Sequence, residues 1–132
     1  MKLITRETDY ALRALCFIAK KNESIISVSE LVQVLKVPRP ILRKILQLLQ
    51  INGILHSYKG KGGGFTLAKK SDNILLVDII QIFQGTLSLN ECLLKKMRCP
   101  HTTTCPLRKQ IRGIEDVVVK KLKAITLASL LR

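Results

Sequence analysis

Tryptophan is missing from this 132-residue chain, and two Tyr and three Phe are its only aromatic residues. A core must therefore be assembled from Leu, Ile and Val. The hydrophobic content of 47% is ample for one and argues against wholesale disorder. Acidic side chains are scarce too: nine Asp and Glu stand against 23 Lys and Arg, a net charge of +14. On a chain of one-domain length, such an excess favours a polyanionic partner, nucleic acid before an anionic membrane surface. No apolar run reaches the ~18 residues that span a bilayer. Residues 1–7 lack the apolar block of a secretory signal. The expectation is a cytoplasmic protein with no membrane partner. Its four Cys then stay reduced, as ligands, redox sensors or core rather than disulfide staples.

The charge is not a tail. Residues 1–90 carry 13 basic and 6 acidic side chains and residues 91–132 carry 10 and 3, so each part nets +7. Its sharpest feature is local: Lys36, Arg39, Arg43, Lys44, Lys59, Lys61, Lys69 and Lys70 follow one another with no acidic residue between. One uninterrupted positive field over consecutive elements suits counterion release from DNA.

Residues 5–21 repeat Tyr10, Ala14, Leu15, Phe17 and Ile18 at helical spacing, and Cys16 beside that stripe reads as a small core residue. Ser27-Val28-Ser29-Glu30 is a capping box opening a short helix whose buried face is Leu31, Val34 and Leu35. Val37-Pro38-Arg39-Pro40 breaks it, and Pro40 suits the first turn of a third helix. Ile41, Leu42, Ile45, Leu48 and Leu49 give that helix an apolar face, with Gly53 at its end; Arg39, Arg43, Lys44, Gln47 and Gln50 point the other way. This is a helix-turn-helix arrangement.

Residues 54–58 and 65–68 read as strands around Lys59-Gly60-Lys61-Gly62-Gly63-Gly64. The Gly-rich stretch has neither the Gly-Lys-Ser/Thr of a nucleotide loop nor a helix after it, so it is a hairpin tip holding two lysines. A basic hairpin after a helix-turn-helix is a wing. A helix ending before Gly85 follows, then residues 86–105 with little periodicity. From Pro106 to about Lys123 a long helix carries Leu107, Ile111, Ile114, Val118, Leu122 and, just beyond it, Ile125 on one stripe, roughly 27 Å of it at ~1.5 Å per residue. That exceeds what one winged helix needs, and the natural use is dimerisation, matching two operator half-sites, with packing back on its own domain as the alternative.

Cys92, Cys99 and Cys105 do not have zinc-knuckle spacing. Proline follows two of them, as in some iron–sulfur loops, and Lys95, Lys96, Arg98 and Arg108 favour thiolate. Free thiols, zinc on three Cys plus His101, and an oxidant-sensing thiol pair remain open beside a cluster.

Thr8-Asp9-Tyr10-Ala11-Leu12-Arg13 resembles the opening of the Rrf-two (Rrf2) family of bacterial transcription regulators. So do Leu42-x-Lys44-Ile45-Leu46, Asn52-Gly53-Ile54-Leu55, Gly60-Lys61-Gly62-Gly63-Gly64-Phe65 and the three-Cys loop, together nearly the whole chain. The resemblance implies a homodimer, a winged helix-turn-helix on DNA, and a [2Fe–2S] or [4Fe–4S] cluster on Cys92, Cys99 and Cys105. IscR-type members add a His where this chain has Arg108; NsrR-type members use an Asp of the partner subunit, and Asp9 matches that position. The first gap between loop cysteines is one residue longer than usual for the family. Arg43 and Lys44 replace the Glu and Gln of IscR-type proteins, so operator preference does not carry over.

The expected molecule is mainly α: a winged helix-turn-helix with a two-stranded wing over residues 1–85, a cysteine loop over 86–105, and a dimerisation helix with a C-terminal segment over 106–132. Ser27, Arg39, Pro40, Arg43, Lys44, Lys59, Gly60 and Lys61 are the expected contacts to double-stranded operator DNA. Cys92, Cys99, Cys105 and Asp9 are the expected ligands of an iron–sulfur cluster that sets DNA affinity, the alternative for Asp9 being a pair with a nearby cation such as Arg6 or Arg13. A structural zinc site or thiol switch is the alternative. No small-molecule substrate is expected. An enzyme is disfavoured, since the chain has no cofactor fingerprint and only two His.

Overall fold

The structure, a computed structural model, describes residues 3–21, 24–87 and 105–131. Cys92, Cys99 and His101 lie outside the described residues. Thr5 opens the first helix, α1 (Arg6–Lys20), its side chain accepting from the Thr8 amide. Thr8, Ala11, Ala14, Leu15 and Ile18 form its buried line, and the two alanines allow close approach of its neighbours. Ser27 Oγ accepts from the Glu30 amide at 3.1 Å and starts α2 (Val28–Leu35). Lys36, at φ 55°, ends it in the left-handed region and turns the chain into α3 (Arg39–Ile51), with Pro40 in the first turn as expected.

Two apolar faces are rotated from the expected ones. On α2 the residues packed inward are Val28, Leu31, Val32 and Leu35, spaced i, i+3, i+4, i+7; Val34 falls off that line and is 50% exposed. On α3 the buried line is Leu42, Ile45, Leu46 and Leu49 at the same spacing. Leu46 is buried where it was not expected, Ile41 is 42% exposed, and Leu48 is only half-buried. In both helices the 3.6-residue repeat admits one line, and residues at its flank stay wet although apolar.

β1 (Leu55–Tyr58) and β2 (Gly64–Leu67) form an antiparallel hairpin with Leu55 opposite Leu67 and Tyr58 opposite Gly64. Ile26 joins it as a single bridge. Its amide donates to the Phe65 carbonyl at 3.0 Å and its carbonyl accepts from the Phe65 amide at 2.8 Å. The wing is thereby fastened to the segment entering α2.

After a short 3-10 turn (Ser71–Asn73) the chain forms α4 (Leu76–Gln84), stopped by Gly85 at φ 73°. The long α5 (Pro106–Lys123) is present with the expected bounds. Its stripe is divided, however. Val118, Leu122 and Ile125 pack with Leu76 and Ile80, while Leu107 and Ile114, farther up, are 67% and 53% exposed. A terminal one-turn helix, α6 (Leu127–Leu130), was not anticipated. The Leu76 amide donates to Ile125 and the Leu127 amide to Ile74, so Leu127 drops into the same core as α1, α2 and α3. Leu127 thus belongs physically to the N-terminal core.

Candidate nucleic-acid interface and cysteine loop

Burying Leu42, Ile45, Leu46 and Leu49 forces the opposite side of α3 into solvent. Arg39, Pro40, Arg43, Lys44, Gln47 and Gln50 are all exposed there. No acidic residue lies in its first turn, so the positive end of the helix dipole adds to the side-chain charge. Arg39 is held: its Nη2 donates to Ser29 Oγ at 2.9 Å, laying the guanidinium against the start of α2. Ser27 is half-buried with its oxygen engaged as the α2 cap.

At the wing tip, Lys59, Gly60 and Lys61 are exposed. Gly60 and Gly62 have φ of 89° and 79°, a left-handed conformation that favours glycine and closes the tip within a few residues. Lower on the hairpin, Lys69 and Lys70 border an open cleft of about 580 Å³, lined also by His56, Tyr58 and Ser71 and, among the described residues, by no acidic one. The structure therefore brings α3 and a cationic wing onto one frame, the wing through the Ile26–Phe65 bridge and α3 through the shared core.

The cysteine residues are not assembled in the same way. Cys105 is half-buried at the cap of α5, where the Lys109 amide donates to its carbonyl at 3.1 Å. Asp9 lies on the surface of α1, its Oδ2 accepting from Arg13 Nε at 2.9 Å in an i,i+4 pair. Among the described residues no three His, Cys, Asp or Glu converge. Cys16 packs against the core as expected, and burial pushes its thiol above the ordinary value, with Lys20 acting the other way.

One polar node escaped the sequence. Thr8 is fully buried, and its hydroxyl donates to Gln84 Oε1 at 2.7 Å. The Thr5 amide donates to the same oxygen at 2.9 Å, and Gln84 Nε2 donates to the Leu3 carbonyl at 3.1 Å. The start of α1 is thus locked to the end of α4, next to where the cysteine loop begins. The signal was present: Thr8 is the one hydroxyl on the buried line of α1, and a buried hydroxyl needs a partner.

A family model described as an iron-dependent transcriptional regulator, Rrf2, matches residues 4–132. The chain belongs to the Rrf2 family. Its likeness to a protein of Aquifex aeolicus (strain VF5) named as an HTH-type transcriptional regulator is 40% identity over 90 residues. That match covers 68% of this chain and 62% of the relative's own length. Among solved structures, CymR (YrzC), the global cysteine regulator of B. subtilis, superposes with a TM-score of 0.82 at 26% identity, over 99% of this chain and 97% of that one. IscR of T. potens superposes at 0.68 with 25% identity, over 99% and 86%. The oxidized form of Staphylococcus aureus CymR superposes at 0.76 with 25% identity, over 100% and 97%. The mainly helical fold with a two-stranded wing is that of the winged-helix Rrf2 regulators, and the chain is a transcriptional regulator rather than an enzyme. Among the described residues no helix is long and apolar enough to cross a membrane.

Proposed function

We propose that this Rrf2 regulator is a cytoplasmic homodimer that binds a two-fold operator, with its DNA affinity set by an iron–sulfur cluster on the cysteine loop. The observation that carries the DNA contact is the exposed side of α3, with Arg43, Lys44 and the tethered Arg39, beside a wing whose tip presents Lys59, Gly60 and Lys61. Arg39, Pro40, Arg43 and Lys44 enter the major groove in this reading. The wing lysines meet phosphates or the narrow minor groove, and Ser27 sits at the α2 start facing the backbone. Leu107 and Ile114, left exposed on α5, are the apolar surface a second subunit would cover.

The donor set fits a cluster. Cys105 carries a free, half-buried thiol at a helix start, and Asp9 presents a carboxylate on the outside of α1, where it pairs with Arg13. Cys92, Cys99 and Cys105 would hold the iron, with Asp9 of the neighbouring subunit as fourth ligand; the cluster would supply the centre that a redox, nitric-oxide or iron signal alters. A thiol switch is the second reading, favoured by the high structural likeness to CymR, whose S. aureus relative has an oxidized form.

Anaerobic purification decides between them. Visible absorption with matching iron and acid-labile sulfide, lost in each of Cys92→Ser, Cys99→Ser and Cys105→Ser, supports the cluster. A colourless protein with stoichiometric zinc points to a structural metal site, and a colourless, metal-free protein that loses DNA affinity on oxidation points to the thiol switch.

A further inference from the structure

Gln47 is exposed on α3 beside the cationic residues assigned to DNA. Its direction can be placed from the helix itself. At ~100° per residue, the buried line of Leu42, Ile45, Leu46 and Leu49 fixes the inward direction, and the diametrically opposite direction lies within about 30° of Pro40, Lys44 and Gln47. Arg43 flanks them, so Pro40, Arg43, Lys44 and Gln47 make an i, i+3, i+4, i+7 set on the outward side. That spacing is the one by which a recognition helix lying in the major groove reaches consecutive base edges. Gln50 is turned about 90° from the outward direction, and Arg39 is held against Ser29.

The chemistry of the four differs. Pro40 offers no hydrogen bond from its side chain, and Lys44 is a point charge able to serve phosphate or base. Arg43 presents a planar fork suited to guanine O6 and N7. Gln47 alone in the set carries a donor and an acceptor on one amide, the pair that matches adenine N6 and N7.

Resting on the DNA-binding reading, we propose that Gln47 is a specificity-determining residue that reads an adenine, one helical turn beyond a guanine read by Arg43. Four residues advance ~6 Å along a helix, and base pairs stack at ~3.4 Å. The two read pairs are therefore about two base pairs apart, and the arrangement recurs in reverse in the second half-site.

The test is selection of sites from randomised duplex DNA with the full-length protein, repeated with Gln47→Ala and Arg43→Ala. The wild type should enrich an A·T pair and a G·C pair about two positions apart. Gln47→Ala should flatten the preference at the A·T pair alone, by roughly 5- to 150-fold against the wrong base, and keep its affinity for unrelated DNA. Replacing that adenine by 7-deazaadenine, which lacks the N7 acceptor, should weaken the wild type and leave Gln47→Ala unchanged. A purely structural role for Gln47 would not reproduce this pairing of protein and base variants. The proposal is overturned if Gln47→Ala keeps the adenine preference, loses affinity equally on all sequences, or responds to 7-deazaadenine as the wild type does. Wild-type protein with no salt-dependent affinity for any duplex would instead overturn the DNA-binding reading on which it rests.

Discussion

Gly64 is where the wing meets the rest of the molecule, and replacing it with Ala should detach one from the other. A Cβ at this position would overlap the Ile26 carbonyl oxygen and approach the Ile26 carbonyl carbon to 2.6 Å and the Ser27 amide nitrogen to 2.9 Å. All three are backbone atoms that cannot rotate aside. Relief requires moving the strand or the segment entering α2, and either motion breaks the Ile26–Phe65 bridge with its two hydrogen bonds. Those bonds contribute about 1 kcal/mol each. Overpacking against backbone adds about 1–3 kcal/mol, for a total of about 3–5 kcal/mol. At ~2.1 cal/mol/K per residue, each kcal/mol moves the midpoint by about 3–4 °C in a chain of this length, so Tm should fall by about 10 °C or more.

The control is Gly62→Ala. Its φ of 79° makes any side chain cost about 1–2 kcal/mol, but a Cβ there meets nothing. Thermal melts followed by amide hydrogen exchange separate the two. Gly64→Ala should deprotect the Ile26 and Phe65 amides selectively, whereas Gly62→Ala should leave them protected. With the wing unfastened, Gly64→Ala should also weaken DNA binding through Lys59 and Lys61. A variant Gly64→Ala with wild-type melting and intact protection at Ile26 would refute the packing argument.

Four further outcomes are expected. Lys59→Glu with Lys61→Glu should weaken binding to all sequences alike and reduce the slope of log K against log salt by about 0.9 for each phosphate no longer neutralised; a salt titration with unchanged slope would remove the wing from the interface. Ile114→Glu puts a charge into the exposed apolar part of α5, which would be buried and unpaired between subunits at a cost of several kcal/mol. Light scattering should find monomers, and soluble dimers would place the interface elsewhere. Thr8→Val removes the buried hydroxyl without removing volume and should cost about 1–2 kcal/mol, while Thr8→Ser should be milder; a cycle with Gln84→Leu should show coupling between the sites, and additive losses would deny the bond. Burial holds the Cys16 thiol above its ordinary 9.0, so alkylation there should be slow at neutral pH. The stability contributed by the neutral thiol is full below that ordinary value and is lost as pH rises through the higher one. Rapid Cys16 labelling in folded protein at pH 7 would contradict its burial.

What the sequence made legible were features with local causes. Ser27 as a cap, Pro40 in a first turn, Gly53 and Gly85 as stops, and the glycine tip of the wing all act within a few residues, and each stands where expected. The bounds of α5 followed from Pro106 and its apolar repeat. Illegible features depended on distant partners. The bridge of Leu75 with Thr126 involves single residues about fifty positions apart, leaving no period to detect, and α6 is too short for one. The apolar faces of α2 and α3 were misplaced because Val34 and Ile41 are as hydrophobic as their buried neighbours; only the packing partners choose which line goes inside. For the site, cationic residues and amides at helical spacing were readable, but the tether of Arg39 to Ser29 was not, since it joins two helices.

The Thr8–Gln84 node holds one of the two ends of α4. At the start of α4, the Leu76 amide donates to the Ile125 carbonyl at 3.0 Å, and Leu76 and Ile80 meet Leu122, Val118 and Ile125 through apolar contact. On its α1 side, Gln84 is fixed by hydrogen bonds of 2.7 and 2.9 Å to one oxygen, and a shift of even one ångström along the helix breaks them. Hydrogen bonds thus pin α4 at both ends, and the end that leads toward the cysteine loop is the one pinned to α1. The same α1 that receives this lock buries Ala11, Leu15 and Ile18 in the core shared with α3 and β2, the elements that carry the cationic surface. A displacement beginning at Gly85 meets α1 first, and through α1 the frame on which Arg43, Lys44 and the wing are mounted.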